Sequence, residues 1–547
     1  MTTMSTGTRA ALASMSGLAL AAAFPKVDLS LLAWIAFVPL LYAVEGKSLR
    51  RVFGLAWLQG FVCYVASVYW IAETLHNFTS LQVELAIAPM LLLAGVMALF
   101  TGSAFCIATY TTKALKLPVV VTLPIAWTAI EWVRTYFPIG FPWNLLGYTA
   151  YRNLELIQFA EITGVYGVSA LIIFANAVVY VVALQAASRR TQALSLATLT
   201  ALMGLAFLFG SMRIRNLAAE PSSGSIKFAM VQGNIPQSLK WDPKFLDSSF
   251  KVYRDESTEA AKRGADLIVW PEASAAFFFQ PQDRYPDAFA ADAVYRQRLL
   301  NLASQTGDPI LFGAPALGVE NGRVGFYNRA YLVSGRGEVK AWYDKIQLVP
   351  FGEYVPMRSF FGFFVDKIVS GFGDMFPGRN QTIFGLDGAK LGVLICYESI
   401  FPNLARSAVK DGADILVNIT NDAWYGDSSA PYQLLAMSAM RAVETKVPVV
   451  RVANTGISTV IEPSGQITAR TPLFTRGTET ESVTWRPALT IYDQVGDLFA
   501  EIAFVLMLIG LGTGIARKRL KPDAPANPLE VWIAENGRAG GNGRQLH

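Results

Sequence analysis

About the first 210 residues form a string of apolar segments, each roughly long enough to cross a bilayer. No other feature restricts the fold so tightly. In hydrocarbon every backbone N–H and C=O must be satisfied internally, so such runs fold as helices. The expected spans are about 9–24, 28–44, 52–74, 85–111, 118–134, 162–186 and 192–210; an eighth, about 496–516, follows a long polar region. Pro25, Lys26 and Asp28 separate the first two, which predicts a tight helical hairpin. The immediate second apolar run, with no clear small-x-small site before a polar region, sets the first segment apart from a cleaved signal peptide. Composition agrees. The chain is 16% charged and 53% hydrophobic, whereas soluble domains carry about a quarter charged residues. Its formal net charge of +5 is small for 547 residues and gives no reason to invoke nucleic acid.

Basic residues set the expected orientation. Lys47, Arg50 and Arg51 follow the second span, Lys113 and Lys116 the fourth, and Arg189 and Arg190 the sixth. Arg517, Lys518, Arg519 and Lys521 follow the eighth. The loop from Glu73 to Glu84 has neither Lys nor Arg, and Arg152 in the loop 135–161 is a mild exception. Every second connection is therefore basic. Both termini are expected in the cytoplasm, with the polar region between spans seven and eight outside. This divides the chain into a membrane domain of seven helices (1–215), an extracytoplasmic domain (220–490) and a C-terminal transmembrane helix (493–520). The Gly-, Asn- and Arg-rich tail (521–547) reads as disordered.

The outer domain has a different texture. Short aliphatic runs stop abruptly at polar residues: Ile226–Val231, Leu267–Trp270, Ile310–Phe312, Leu391–Ile395, Ile415–Ile419 and Val447–Val452. Helical stretches such as Asp247–Arg263 and Tyr432–Thr445 lie between them. Alternating strands and helices imply a layered α/β domain, and near-continuous apolar strands imply a sheet buried on both faces. In open α/β sheets reactive groups collect at the carboxyl ends of strands. Three ends stand out: Trp270-Pro271-Glu272, Cys396-Tyr397-Glu398 and Asn418-Ile419-Thr420-Asn421-Asp422. Between the first two, Lys345 precedes Glu353 across an apolar run and a Pro-Phe-Gly turn.

Cys396 is the only cysteine outside the apolar stretches, since Cys63 and Cys106 lie within them. A lone cysteine is either a small buried residue or a nucleophile. The only two histidines are His76, in the N-terminal region, and His547, the last residue, which makes a Cys-His pair in this domain a poor reading. Carboxylate and lysine must then activate the thiol. A free thiol has pKa about 8.5 and is mostly protonated at neutral pH. Glu272 is placed to take its proton, and Lys345 to stabilise negative charge on a tetrahedral intermediate. Each also has a plain structural alternative: a helix cap for Glu272, a solvated ion pair for Lys345 and Glu353, a hydrogen-bond acceptor for Glu398.

Trp-Pro-Glu at 270–272, Lys345 with Pro-Phe-Gly-Glu at 350–353, and Cys-Tyr-Glu at 396–398 resemble the Glu-Lys-Cys signatures of the nitrilase (carbon–nitrogen hydrolase) superfamily. With the multi-span N-terminal part, the closing span and Val231–Trp241, residues 10–515 resemble the bacterial apolipoprotein N-acyltransferase family. The resemblance implies an eight-span helical bundle carrying an αββα sandwich, in a monomer of the bacterial inner membrane with its active domain on the periplasmic side. It implies acyl transfer in two steps. Cys396 would take the sn-1 chain of a phospholipid such as phosphatidylethanolamine as a thioester, and the free α-amino group of a diacylglyceryl-cysteine on an apolipoprotein would then receive it. Glu272 matches the general base, Lys345 the oxyanion-stabilising residue, and Glu353, Glu398 and Tyr397 supporting positions. No metal or other cofactor is implied, and the domain lacks histidine and has one cysteine, a poor set of metal ligands.

Phenylalanine-rich segments lie beside the candidate site: Ala275–Phe279 after Glu272, and Ser359–Val365 with Ile368 and Phe372 after Glu353. Such loops favour an acyl-chain environment over water, although the same side chains also suit a domain core. Phe277, Phe278, Phe363 and Phe364 are therefore candidate lipid contacts, with Gly362, Gly371 and Gly373 allowing lid movement. Trp143 in the outer loop, Trp241, Asn421 and Trp424 complete the substrate-binding candidates. Two other readings stand beside acyl transfer. A membrane-tethered amidase fits the triad but leaves eight spans and the aromatic loops unexplained. A transporter with an outer lid fits the spans, which carry few ionisable residues for a polar path.

Overall fold

Both faces of the strand Gly224–Gln232 (β1) are covered: Phe228 and Met230 sit in one apolar cluster, Ala229 and Val231 in another. Side chains alternate along a strand, so a strand apolar at every position must lie between two packed layers. The computed structural model describes residues 4–78, 82–280, 289–320, 322–355, 375–486 and 489–520. The remaining strands are β2 (Leu267–Val269), β3 (Ile310–Glu320), β4 (Arg323–Val333), β5 (Val339–Asp344), β6 (Ile383–Leu386), β7 (Ala389–Ile395), β8 (Ile415–Thr420), β9 (Val449–Ala453), β10 (Thr459–Ile461), β11 (Ile467–Arg470) and β12 (Gly477–Trp485). They form two six-stranded sheets, ordered β12-β1-β2-β3-β4-β5 and β11-β10-β9-β8-β7-β6. In each, three parallel strands (β1-β2-β3 and β7-β8-β9) are flanked by antiparallel ones.

The sheets stack face to face. Leu267, Val269, Val393, Ile395, Val417 and Ile419 meet in the cluster between them. Helices Leu246–Lys262 and Ala290–Thr306 cover the outside of the first sheet, where Phe250 and Leu299 pack on Ile268. Helices Pro402–Lys410 and Ala430–Thr445 cover the second, where Ala408, Leu435 and Ala439 pack on Leu394 and Leu416. The domain is the α/β sandwich that the resemblance implied.

The N-terminal region is helical. Val83–Leu115, Val165–Ala183, Arg189–Ala219 and Leu498–Arg519 are long and apolar enough to cross a membrane. Leu49–Ser67 and Trp70–Asn77, bent by 49°, supply a fifth candidate if counted as one span. The helices Thr6–Ala23 and Val119–Tyr136 are each 18 residues long but carry Arg9, and Glu131 with Arg134. Both charges of the second turn inward: Glu131 accepts from the Leu146 N–H (2.7 Å) and Arg134 donates to the Tyr64 hydroxyl (2.6 Å). The expected span 28–44 is interrupted. It consists of a 3₁₀ turn, Ser30–Trp34, and a short helix, Val38–Val44, that restarts at Pro39, a residue suited to a first helical turn but not to an interior.

Bundle and sandwich share one apolar cluster, running from Ala13 and Phe37 through Trp143 to Tyr397 and Ile419. The helix Ala430–Thr445 lies at this seam, and every residue in it except Tyr432 is buried. Phe363, Phe364 and the tail 521–547, both subjects of sequence expectations, lie outside the described residues.

Candidate active site

Strand endings place the three signature side chains. Pro271 follows Trp270 at the end of β2, and Glu272 turns inward, 6% exposed. Strand β5 delivers Lys345, whose N–H bonds the Asn328 carbonyl of β4 (2.9 Å) and whose side chain is 1% exposed. Strand β7 delivers Cys396 into a tight 3₁₀ turn, Cys396–Ile400, with φ +53° at the cysteine. A non-glycine residue in this left-handed region stores strain, and it persists where its surroundings over-determine it.

The charged groups interlock. Lys345 Nζ donates to Glu353 Oε1 (2.7 Å) and reaches Glu272 Oε1 (3.5 Å). Asn328 Nδ2 bridges the same two carboxylates, at 2.7 Å from Glu272 Oε1 and 3.2 Å from Glu353 Oε1. The Asn421 N–H donates to Glu272 Oε2 (2.9 Å), and the Val349 N–H to Glu353 Oε2 (2.8 Å). Glu398 serves the turn itself: Oε2 accepts from the Ile395 N–H (2.7 Å), while Oε1 accepts from Tyr343 Oη (2.8 Å) and from the N–H groups of Ile346 (2.7 Å) and Gln347 (3.1 Å). It thereby ties the cysteine turn to the Lys345 segment.

Electrostatics separates the roles. Burial pushes the Cys396 thiol up to about 12, and the Glu272 charge adds to this against the Lys345 ammonium. Burial also pushes the Glu272 carboxyl up, but the Lys345 and Lys240 ammonium groups and the Asn328 amide outweigh it, leaving it below its ordinary value. Lys345 is held well above an ordinary lysine, because the Glu353 and Glu272 carboxylates outweigh its desolvation. A protonated thiol thus faces a carboxylate able to accept its proton, beside a permanent cation. Glu398 is pushed up to about 7 by burial, against its four donors.

The remaining candidates divide. Tyr397 is buried, its hydroxyl without a hydrogen-bond partner among the described residues, and packs edge-on against Phe401 (5.1 Å between centroids). Trp241 is 50% exposed and Trp424 half-buried. Asn421 is buried, with Nδ2 on Gln237 Oε1 (2.6 Å). Trp143 is buried at the seam, where its Nε1 donates to Gln433 Oε1 (2.7 Å) and its ring stacks on Phe141. Phe277 is a correction. It is 2% exposed and packs on Phe250 and Tyr295 inside the domain, as Phe279 packs on Phe312 and Tyr331. Alternation along the extended segment leaves only Phe278, half-buried against Phe289 and Phe326, on the other side.

Sequence reading did not single out Lys240 or Asn328. Lys240 Nζ donates to the Glu272 main-chain carbonyl (2.9 Å), and burial pulls its pKa down to about 8. Its one signal was adjacency to Trp241. Asn328 had the weaker signal of a lone amide in β4, a strand whose other polar residues are Arg323 and Arg329.

Two family models match the chain: the apolipoprotein N-acyltransferase N-terminal domain over residues 16–178 and carbon-nitrogen hydrolase over residues 227–485. An apolipoprotein N-acyltransferase of Geobacter metallireducens is 38% identical over 491 residues, covering 89% of this chain and 92% of that one. One from Allorhizobium ampelinum is 31% identical over 497 residues, covering 87% and 90%. Among solved structures, an amidase of the nitrilase superfamily from Nesterenkonia is 22% identical with TM-score 0.38, covering 52% of this chain and 98% of that one. The chain belongs to the apolipoprotein N-acyltransferase family, and the protein is an acyltransferase built on a carbon–nitrogen hydrolase domain.

Proposed function

We propose that the protein moves an acyl chain from a phospholipid, the sn-1 chain of phosphatidylethanolamine, to the α-amino group of the diacylglyceryl-cysteine at an apolipoprotein N-terminus. Cys396 Sγ attacks the ester carbonyl while Glu272 accepts the thiol proton, and the oxyanion forms beside the Lys345 ammonium. Collapse expels the lysophospholipid alkoxide, which takes the proton from Glu272 and leaves a thioester. The acceptor amine then attacks the thioester. Glu272 takes its proton and returns it to the departing thiolate, and the amide product leaves. Glu353 holds Lys345, Glu398 holds the cysteine turn, and the Tyr397 hydroxyl, unpartnered among the described residues, faces the substrate. Trp241, Trp424 and Phe278 line the lipid path.

The observation that carries this reading is the pairing of a protonated buried thiol with a carboxylate depressed by two lysines, in a domain packed against apolar helices. A chain that draws its donor from the bilayer needs such placement, whereas an amidase for a soluble substrate does not. On the same reading the protein is a monomer that crosses the bacterial inner membrane eight times. Segment 28–44 makes a short crossing of about 20–25 Å at ordinary helical rises. Both termini are cytoplasmic and the sandwich is periplasmic, as the basic loops require. Incubation with phosphatidylethanolamine and no acceptor, followed by peptide mass spectrometry, should find one acyl chain on Cys396 and none in Cys396→Ala. An active enzyme never found acylated would refute the thioester route.

A further inference from the structure

Three consecutive residues at the end of β8 divide their contacts among the nucleophile, the base and a buried cation. Thr420 lies beside the Cys396 thiol and acts to lower its pKa. The Asn421 N–H holds Glu272 Oε2 at 2.9 Å. Asp422 Oδ2 accepts from Nη2 of Arg451 at 2.6 Å, and Asp422 Oδ1 accepts from the Thr420 hydroxyl at 2.8 Å. The other arm of Arg451, Nη1, donates to Asn418 Oδ1 (2.6 Å). Asn418 Nδ2 in turn donates to the main-chain carbonyls of Leu394 (3.1 Å) and Cys396 (3.3 Å). Both charged side chains of the pair are 0% exposed. Gly456 makes room for it, since a Cβ there would stand 2.0 Å from Asp422 Oδ2.

A buried ion pair is costly to desolvate and is weak evidence of stability by itself. Here it ends on a strained residue, because Cys396 at φ +53° needs its carbonyl held and Asn418 holds it. We infer that Arg451, which touches no reacting atom, is a positioning residue for Cys396. One arm of its fork fixes the nucleophile's main chain through Asn418, and the other sets the Thr420 hydroxyl against the sulfur through Asp422. While its proton lies on Asp422, the Thr420 hydroxyl does not donate to the sulfur. Once the S–H proton has gone to Glu272, the hydroxyl can turn and donate to the thiolate. A lysine at 451 keeps the charge but cannot fork to both partners.

The inference rests on Cys396 being the nucleophile, and alkylation tests it independently of acyl transfer. The charged and titratable groups facing the sulfur are Glu272, Lys345, Lys240, Asp422 and Tyr425. Asp422 raises the thiol pKa, so D422N should speed iodoacetamide labelling of Cys396 in the full-length protein at fixed pH. The expected gain is about tenfold, because removing a negative charge beside the sulfur raises the thiolate fraction. T420V, nearly isosteric, should slow that labelling. Both, and R451K, should lower kcat by about 10- to 100-fold with KM little changed, as misplacement of a reacting atom does. A merely structural role would not move the two labelling rates in opposite directions. Labelling of D422N and T420V at the parent rate, or full kcat in R451K, would overturn the inference. If D422N does not fold, T420V decides alone. Lack of acyl transfer by the parent protein would refute the proposed function while the labelling rates still decide the role of Arg451.

Discussion

Two of the buried charge clusters, one inside the sandwich domain and one at its seam with the helices, both join basic and acidic side chains but are put to different uses. Around Cys396, Lys345 meets Glu353 and Glu272, and each carboxylate oxygen of the pair has a donor. At the seam with the membrane helices, Arg441 meets Glu444 (3.0 Å), which accepts from the Val165 N–H (2.8 Å) at the start of helix Val165–Ala183. Lys446 reaches Glu161 (3.4 Å), which also pairs with Arg213 (2.9 Å). The seam cluster spans elements far apart in sequence and contains no thiol; Nη1 of Arg441 has no hydrogen-bond partner among the described residues. Burial of charge therefore does not identify an active site. What distinguishes the first cluster is a buried thiol facing a carboxylate, the arrangement the proposed acyl transfer uses, whereas the second joins the domain to its bundle.

Substitutions should separate these uses. Among the charged groups, the largest effect on turnover is expected at Lys345: K345R keeps the charge but displaces it, and should lower kcat by about 10²–10³-fold, in the range of a lost oxyanion donor, with melting temperature little changed. The largest effect on stability is expected at the seam. E444A strands Arg441 in the interior and should cost about 3–5 kcal/mol in denaturant unfolding, while thioester formation in the surviving folded fraction proceeds normally. Equal loss of turnover per folded molecule in E444A would erase the distinction. K240M should act mildly and on the pH profile. The Lys240 cation lowers the Glu272 carboxyl, so its removal should move the acid limb of kcat/KM to higher pH; an unmoved limb would remove Lys240 from the site. R298A, which breaks the exposed Arg298–Asp247 pair on the far surface, should cost less than about 1 kcal/mol and leave turnover unchanged.

The parallel strands were legible because they are buried on both faces and read as unbroken aliphatic runs, as in Leu391–Ile395 and Ile415–Ile419. The flanking strands were not. Strand β12, Gly-Thr-Glu-Thr-Glu-Ser-Val-Thr-Trp, pairs along its whole length with β1 yet is largely polar. Glu272 and Cys396 were legible because each stands where an apolar run ends, and Lys345 because it pairs with Glu353 across an apolar run and a Pro-Phe-Gly turn. Lys240, Asn328 and Arg451 were not, since a buried cation or amide looks like a solvated one until its partners converge from other strands. The role of helix Ala430–Thr445 was hidden for the same reason: Gln433 accepts from Trp143 and Trp70 and donates to the carbonyls of Ser67 (2.9 Å) and Pro25 (3.1 Å), contacts no local pattern announces. The phenylalanines were ambiguous for a different reason. Both a core and a lipid surface favour them, and for Phe277 only the position of the backbone decides.

The central claim is that one thiol carries the acyl chain between two substrates. Enzyme loaded from phosphatidylethanolamine with an isotopically labelled sn-1 chain should be freed of donor and then mixed with a diacylated peptide bearing a free N-terminal amine. The account requires the label to leave Cys396 and appear as an amide on the peptide at equal rates. Label that stays on Cys396 while the peptide goes unacylated would contradict it.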